Sequence, residues 1–346
     1  MKAWQYTNAS AGLERSLHLN EAAATPPTQL LPKDQVMVEV VSMSVNPVDY
    51  KVAELGFLSK VIISTPASPG LDYCGRVAAI GDAVDSYRVG ELVFGRLAKP
   101  TQHGTLGQYI TASHDGCVAL PKGVDVDQAV AIGTAGLTAY QCIVPNAKNG
   151  DKIFINGGSG GTGTFGIQIG KAIGCHVTTS CSTPNVPLCK QLGADEVIDY
   201  RTTNVTEALK AKGQVFDLVV DNVGTPAELY KESTHFLRPS GKFVQVGAAP
   251  SLTEAGNIAS KLMLPSFLGG GKRSYQFLNL KNSHEDLAQI GRWMQEGRVS
   301  AVIDEVFEYE DAPKAYEKLK AGHAQGKIVV HVTDQPRRVA EGKSAR

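Results

Sequence analysis

Six glycines fall between positions 157 and 166, in the run Ile-Asn-Gly-Gly-Ser-Gly-Gly-Thr-Gly-Thr-Phe-Gly of residues 155–166. Glycine weakens helices and strands, so this density inside a chain needs a reason. The run is not a linker. It follows an apolar strand-like stretch, Lys152–Asn156, and opens a segment in which Phe165, Ile169 and Ile173 recur every four residues. Gly158, Gly160 and Gly163 have the spacing of a dinucleotide-binding turn. The first permits the tight turn, the second leaves room for a pyrophosphate, and the third lets helix and strand pack closely. A helix starting here offers free N–H groups and partial positive charge to phosphate. Gly158, Ser159, Gly160, Gly161, Thr162 and Gly163 are the candidate phosphate cradle.

The next strand-like stretch ends in Thr-Thr-Ser-Cys-Ser-Thr-Pro-Asn (178–185), which contains no acid. A site for NAD normally places Asp or Glu about 20 residues after the glycines, on the ribose 2′-hydroxyl. Here Ser180, Ser182, Asn185 and Lys190 are positioned to donate to a 2′-phosphate, so NADPH is the expected cofactor.

The elements that must hold this turn fall into two grammars. The first 120 or so residues carry short β-like runs (35–45, 75–81, 91–97, 107–112) punctuated by Gly, Pro and Asp. From residue 124 a helical stretch (124–144) leads into alternating strand and helix signals. Strands are expected at 151–156, 176–180, 196–200, 216–224 and 241–248, with helices at 162–173, 186–192, 205–211 and 226–237. Such alternation predicts an α/β fold with a doubly wound parallel sheet. The chain has 346 residues, 42% of them hydrophobic, which predicts two domains. Lys plus Arg and Asp plus Glu both number 34, which argues against nucleic-acid and anionic-membrane partners. Six scattered cysteines without a C-x-x-C pair read as reduced thiols. No signal-like start and no run of about 20 apolar residues is found. A cytoplasmic location is expected, and the polar tail 334–346 is expected to be disordered.

The motifs VNPVDYK (45–51), PGLDYCGRV (69–77), GQYI (107–110), GTAGLTAY (133–140), GGSGGTG (157–163), LGADEVIDY (192–200), GKFVQVG (241–247) and GKIVV (326–330) together resemble the medium-chain dehydrogenase/reductase superfamily. The resemblance spans about residues 1–332. It is nearest to the zinc-free quinone oxidoreductase and enoyl reductase branch, especially its fungal members. It implies a GroES-like catalytic domain of residues 1–123 and 282–346, and a Rossmann NADP-binding domain of residues 124–281 with a sixth strand near 273–280. It also implies an active site in the cleft between the domains. Thr134, Tyr200, Asn222, Val223 and Gly247 match cofactor-contacting positions of that branch.

The zinc enzymes of the superfamily carry Cys and His where this chain has Asn46 and Leu71. Leu cannot bind zinc and Asn is a poor ligand for it. His103 and His114 stand alone. Without a Lewis acid, an already electron-poor substrate is expected: an enone, an enoyl thioester or a quinone. Asn46 and Lys51 are candidate donors to the substrate carbonyl or to the cofactor. Lys51 also reads as a plain surface lysine, and Tyr50 reads as either a catalytic acid or a core residue. Three functions remain open: a small-molecule reductase, a trans-acting enoyl reductase that meets a carrier protein of a polyketide synthase, and a non-catalytic NADPH-binding interaction protein. A monomer or homodimer is compatible with each.

Overall fold

The structure is a computed structural model that describes residues 1–26, 31–246 and 272–333. Gly247 and the tail 334–346 lie outside the described residues. The chain divides into two compact units, Met1–Ala135 with Lys281–Arg346, and Gly136–Leu280.

The first unit is built on a seven-stranded sheet. Its longest strand, Gln35–Ser44, pairs antiparallel with Asp72–Ile80, Tyr109–Ser113 and Lys327–His331. Leu92–Arg96 and Cys117–Ala119 extend it on one side, and Ile303–Phe307 on the other. Val36, Val38, Val40 and Met43 are all buried in the core, with Leu71, Tyr73, Val93, Ile110 and Val330 packed in the same cluster. Two of the seven strands come from the end of the chain, and one of them delivers Lys327 into this unit.

Among the described residues the second unit carries six parallel strands: β1 (Lys152–Asn156), β2 (His176–Cys181), β3 (Glu196–Asp199), β4 (Phe216–Asp221), β5 (Leu237–Gln245) and β6 (Ser274–Phe277). Their spatial order is β3-β2-β1-β4-β5-β6. This is the doubly wound order, with its reversal between β1 and β4. Ile153, Phe154, Ile155, Leu218, Val219 and Val220 are at most 1% exposed. They form the continuous apolar runs of a sheet covered on both faces.

The stretch 124–144 is not one helix. It forms Val126–Val130, a wide turn over Ile132–Gly136, and Leu137–Ile143. The first of these belongs to the β-rich unit. Val126, Ala129 and Val130 are buried, and Asp127 Oδ1 accepts from the Ser42 hydroxyl at 2.8 Å. The unit boundary therefore follows residue 135. The helix expected over 226–237 shrinks to Leu229–Glu232 and a tight turn at Ser233–His235. All six cysteines are buried and unpaired. Among the described residues no helix is long and apolar enough to cross a membrane.

Candidate active site

The glycine turn follows β1 and leads into the helix Gly161–Ala172. Each glycine does something different. The left-handed backbone of the turn lies at Gly157 (φ 81°), one residue before the first glycine of the Gly158, Gly160 and Gly163 spacing. A Cβ at Gly158 would collide with the Thr179 hydroxyl on β2, and one at Gly163 would collide with the Gly157 carbonyl. Gly160 differs from both, because the nearest atom to its added Cβ is 3.8 Å away. Gly158 and Gly163 are thus required by packing, whereas Gly160 faces open space. That is where a phosphate would approach the backbone, next to the free N–H groups of Gly161 and Thr162.

Asn156, which the sequence reading missed, holds the turn. Its Nδ2 donates to Asp221 Oδ1 (2.9 Å) and to the Thr225 carbonyl (2.7 Å), and its Oδ1 accepts from the Ser180 hydroxyl (2.6 Å). Ser180 Oγ accepts from the Gly157 N–H at 3.1 Å. Ser180 is 1% exposed, so its hydroxyl supports the turn and is not available to a 2′-phosphate. Asn185 Nδ2 donates to Ser159 Oγ at 2.9 Å, bracing the turn from the neighbouring loop.

Of the remaining cofactor candidates of this unit, Ser182, Tyr200, Asn222 and Val223 follow the carboxyl ends of strands. Ser182 follows β2. Tyr200 follows β3 and is 54% exposed, and its N–H donates to the Cys181 carbonyl (3.1 Å). Asn222 and Val223 follow β4, where Asp221 Oδ1 accepts from the Val223 N–H (3.1 Å). Lys190 is exposed in the last turn of Val186–Gln191. Two amide oxygens here, Asn185 Oδ1 and Asn222 Oδ1, are buried without a partner among the described residues. Orphaned acceptors beside an open glycine turn fit a ligand rich in hydroxyl groups, such as a dinucleotide. Asp199, also missed, ends β3 half-buried, with its carboxylate pKa lowered chiefly by a hydrogen bond from Thr183.

In the first unit, Asn46 and Thr134 belong to a buried polar cluster. Asn46 precedes the helix Pro47–Ala53 and is 3% exposed. Its Nδ2 donates to Asp72 Oδ2 (2.8 Å) and to the Ser44 carbonyl (3.2 Å). Its Oδ1 accepts from Lys327 Nζ at 2.6 Å. Both amide hydrogens are used, so Asn46 has none left for a substrate carbonyl and can only accept. Thr134 Oγ1 donates to Asp72 Oδ1 (2.6 Å) and accepts from Arg96 Nε (3.3 Å), which fixes the hydroxyl in the same sense. Asp49 Oδ2 accepts from the Asn46 N–H (2.8 Å) and the Tyr316 hydroxyl (3.5 Å). Burial pushes the Asp49 pKa up to about 8, with Asp72 adding to the rise, and burial lowers that of Lys327.

Lys51 lies in the last turn of that helix and is half-buried. Tyr50 packs against the core beneath the Lys320 ammonium, 5.5 Å from its ring centre. Burial and Glu54 raise its pKa, which makes it a weaker acid than a free phenol. Its surroundings are those of a packing residue.

Residues 32–122 match the family model described as an alcohol dehydrogenase GroES-like domain, and residues 192–330 the one described as a zinc-binding dehydrogenase. The chain is 50% identical to trans-enoyl reductase pgmF of Aspergillus terreus, over 96% of this chain and 97% of that protein. It is 35% identical to the zinc-type alcohol dehydrogenase-like protein C16A3.02c of Schizosaccharomyces pombe, over 95% of each. Among solved structures, the quinone oxidoreductase of Coxiella burnetii aligns with a TM-score of 0.82 at 29% identity, over 96% of this chain and 99% of that one. Likeness of this extent, together with the two family models, means that this chain belongs to the medium-chain dehydrogenase/reductase superfamily of oxidoreductases.

Proposed function

We propose that this protein is an NADPH-dependent, zinc-independent reductase of activated C=C bonds or quinones. The observation that carries the cofactor half is the turn at Gly160, open where its neighbours are closed, beside the orphaned oxygens of Asn185 and Asn222. In this reading bound NADPH supplies a hydride. The chain's own residues do the rest. The turn and the start of Gly161–Ala172 hold the diphosphate. Ser182, Lys190 and Tyr200 receive the 2′-phosphate end. Lys51 donates to the substrate oxygen on which charge builds, and such a donor is worth most where water is excluded.

The family description names zinc, but the donor set does not fit it. Leu71 is 1% exposed within the apolar core, and both ends of the Asn46 amide are taken by Asp72 and Lys327. A lysine ammonium therefore lies where a metal at Asn46 would have to sit. A conjugated substrate spreads its developing charge and needs less help than a saturated ketone. The 50% identity to a trans-enoyl reductase favours a second form of the reading, in which the substrate is an enoyl thioester presented by a carrier protein.

Product analysis with 4-deuterated NADPH and an enone tests the proposal. Deuterium on the β-carbon of a saturated ketone supports it. Deuterium on the carbinol carbon of an allylic alcohol sinks it. An NADPH-oxidation assay that stays flat with enones, enoyl thioesters and quinones would leave the non-catalytic reading standing.

A further inference from the structure

Arg96 ends the strand Leu92–Arg96 and is 5% exposed. Two groups fix its guanidinium. Nε donates to Thr134 Oγ1 at 3.3 Å, and Nη1 donates to Asn282 Oδ1 at 2.8 Å. Asn282 Nδ2 in turn donates to the Arg96 carbonyl at 3.1 Å. Each anchor is itself held. The Thr134 hydrogen goes to Asp72, so its oxygen must accept from Arg96. The Asn282 amide is oriented by bonding the arginine at both ends.

What the guanidinium lacks is a carboxylate. None among the described residues forms an ion pair with it. Asp72, Asp49 and Asp115 act on it only through space, and desolvation outweighs them in lowering its pKa. Nη2 has no hydrogen-bond partner among the described residues, and two of the five donor hydrogens are accounted for. A buried cation is ordinarily paired, because removing it from water costs several kcal/mol. Here the side chain is held at two points, is nearly closed off from solvent, and has one edge without a partner among the described residues.

We propose that Arg96 is an anion-binding residue of the active site, taking an anionic oxygen on the guanidinium edge that Thr134 and Asn282 leave open. Asp72, Thr134 and Asn282 act as its positioning residues. In a reductase two oxygens have this chemistry: the substrate oxygen that gains charge as hydride reaches the conjugated system, and a phosphate oxygen of the cofactor. Both sources rest on the reductase reading. Arg96 shares this part of the fold with Thr134, a position that the family resemblance places at the cofactor.

The experiment compares wild type with Arg96→Met and Arg96→Lys in three measurements: calorimetric NADPH affinity, turnover of 3-penten-2-one, and calorimetric binding of inorganic phosphate. If the oxygen belongs to the substrate, Arg96→Met lowers kcat by about 10²-fold or more while NADPH Kd stays within about twofold. If it belongs to the cofactor, Kd for NADPH rises by about tenfold or more, a change of about 1.4 kcal/mol, and phosphate binding weakens with it. Arg96→Lys keeps the charge but not the fork, so it recovers part of either loss. Thermal unfolding of the ligand-free proteins separates this role from a structural one. Arg96→Met removes two hydrogen bonds, so some loss of melting temperature is expected from that alone, and melting is read beside kcat and the two affinities. A lower melting point with unchanged kcat, NADPH affinity and phosphate affinity overturns the proposal. A wild type that neither binds NADPH nor reduces the enone refutes the reductase reading instead, and the phosphate titration then decides for or against Arg96 by itself.

Discussion

The Lys327 ammonium lies 2.6 Å from Asn46 Oδ1 and spends its other two hydrogens on the Val45 carbonyl (3.0 Å) and Asp72 Oδ2 (3.5 Å). Lysine can only donate and a carboxylate can only accept, so the pair dictates which way the Asn46 amide points. Removing either partner leaves a buried charge uncompensated. Lys327→Met and Asp72→Asn should each cost about 3–5 kcal/mol of stability. The double variant should cost clearly less than the sum, because the two substitutions remove one interaction. Urea melts of the four proteins give the coupling directly, and additive losses would mean that the pair does not act as a unit.

Asp49 gives the fold a pH dependence. Its folded pKa of about 8 is above the ordinary carboxylate value of about 3.9. Between these values the native state holds a proton that the unfolded chain has lost. Stability therefore falls as pH rises from about 4 to about 8. Asp49→Asn keeps the shape but cannot ionise, so its loss of stability between pH 5 and pH 8 should be smaller than that of wild type. Parallel curves for the two proteins would show that Asp49 is ionised throughout.

The glycine turn makes a prediction that separates folding from binding. Gly160→Ala places a methyl group in open space on ordinary backbone (φ −79°, ψ 173°). It should melt like wild type yet bind NADPH about tenfold or more weakly. Gly158→Ala and Gly163→Ala should lose stability as well, since their methyl groups meet Thr179 and the Gly157 carbonyl. Equal melting losses in all three variants would remove the argument that Gly160 is spared for a ligand.

These cases show what a sequence reader can and cannot see. The glycine turn is legible because its function depends on contiguous residues at fixed spacing, just after an apolar strand. The strands β1 to β5 are legible for the same reason, each being a local run, whereas β6 is expected only from the family resemblance. The buried cluster is not. Lys327 and Asn46 are 281 residues apart, and Arg96 and Asn282 are 186 apart. No local pattern announces that they meet. The motifs around Asp72 and Lys327 carry the family resemblance, but their spacing does not reveal that one neutralises the other. Ser180 fails differently. A hydroxyl at the right distance from the glycines looks free for phosphate until Asn156 and the Gly157 N–H are seen to use it. Tyr50 reads as a possible acid until the core beneath it is visible.

Zinc offers a direct check. Since Asn46 is committed and Leu71 is buried, purified protein should hold well below one zinc per chain, and a chelator should leave NADPH oxidation unchanged. Stoichiometric zinc that survives dialysis, with activity lost on chelation, would require Asn46 and Lys327 to rearrange and would overturn the metal-free chemistry.

The last prediction concerns the 2′-phosphate. At the end of β2 the chain places Ser182 where a ribose-binding acid would stand, and Ser182 is 8% exposed. The nearby acid, Asp199, is on β3. Its carboxylate accepts from the Arg201 N–H at 2.9 Å, and the Arg201 charge contributes to its lowered pKa. It is thus occupied with its own turn, beside a cation. Lys190 and Tyr200 are both exposed, and in the proposed reading they receive the phosphate. Charge-assisted hydrogen bonds are each worth about 1.5–3 kcal/mol, so NADPH should bind at least about tenfold more tightly than NADH. Ser182→Asp should reverse the order by setting a carboxylate against the phosphate while offering an acceptor to a bare 2′-hydroxyl. Lys190→Ala should weaken NADPH alone, and less at high salt, where an exposed charge is screened. Calorimetric titration of both cofactors into the three proteins tests this. If wild type binds NADH and NADPH equally, or if Ser182→Asp leaves their ratio unchanged, then the loop after β2 does not read the phosphate and Asp199 becomes the residue to examine as a ribose ligand.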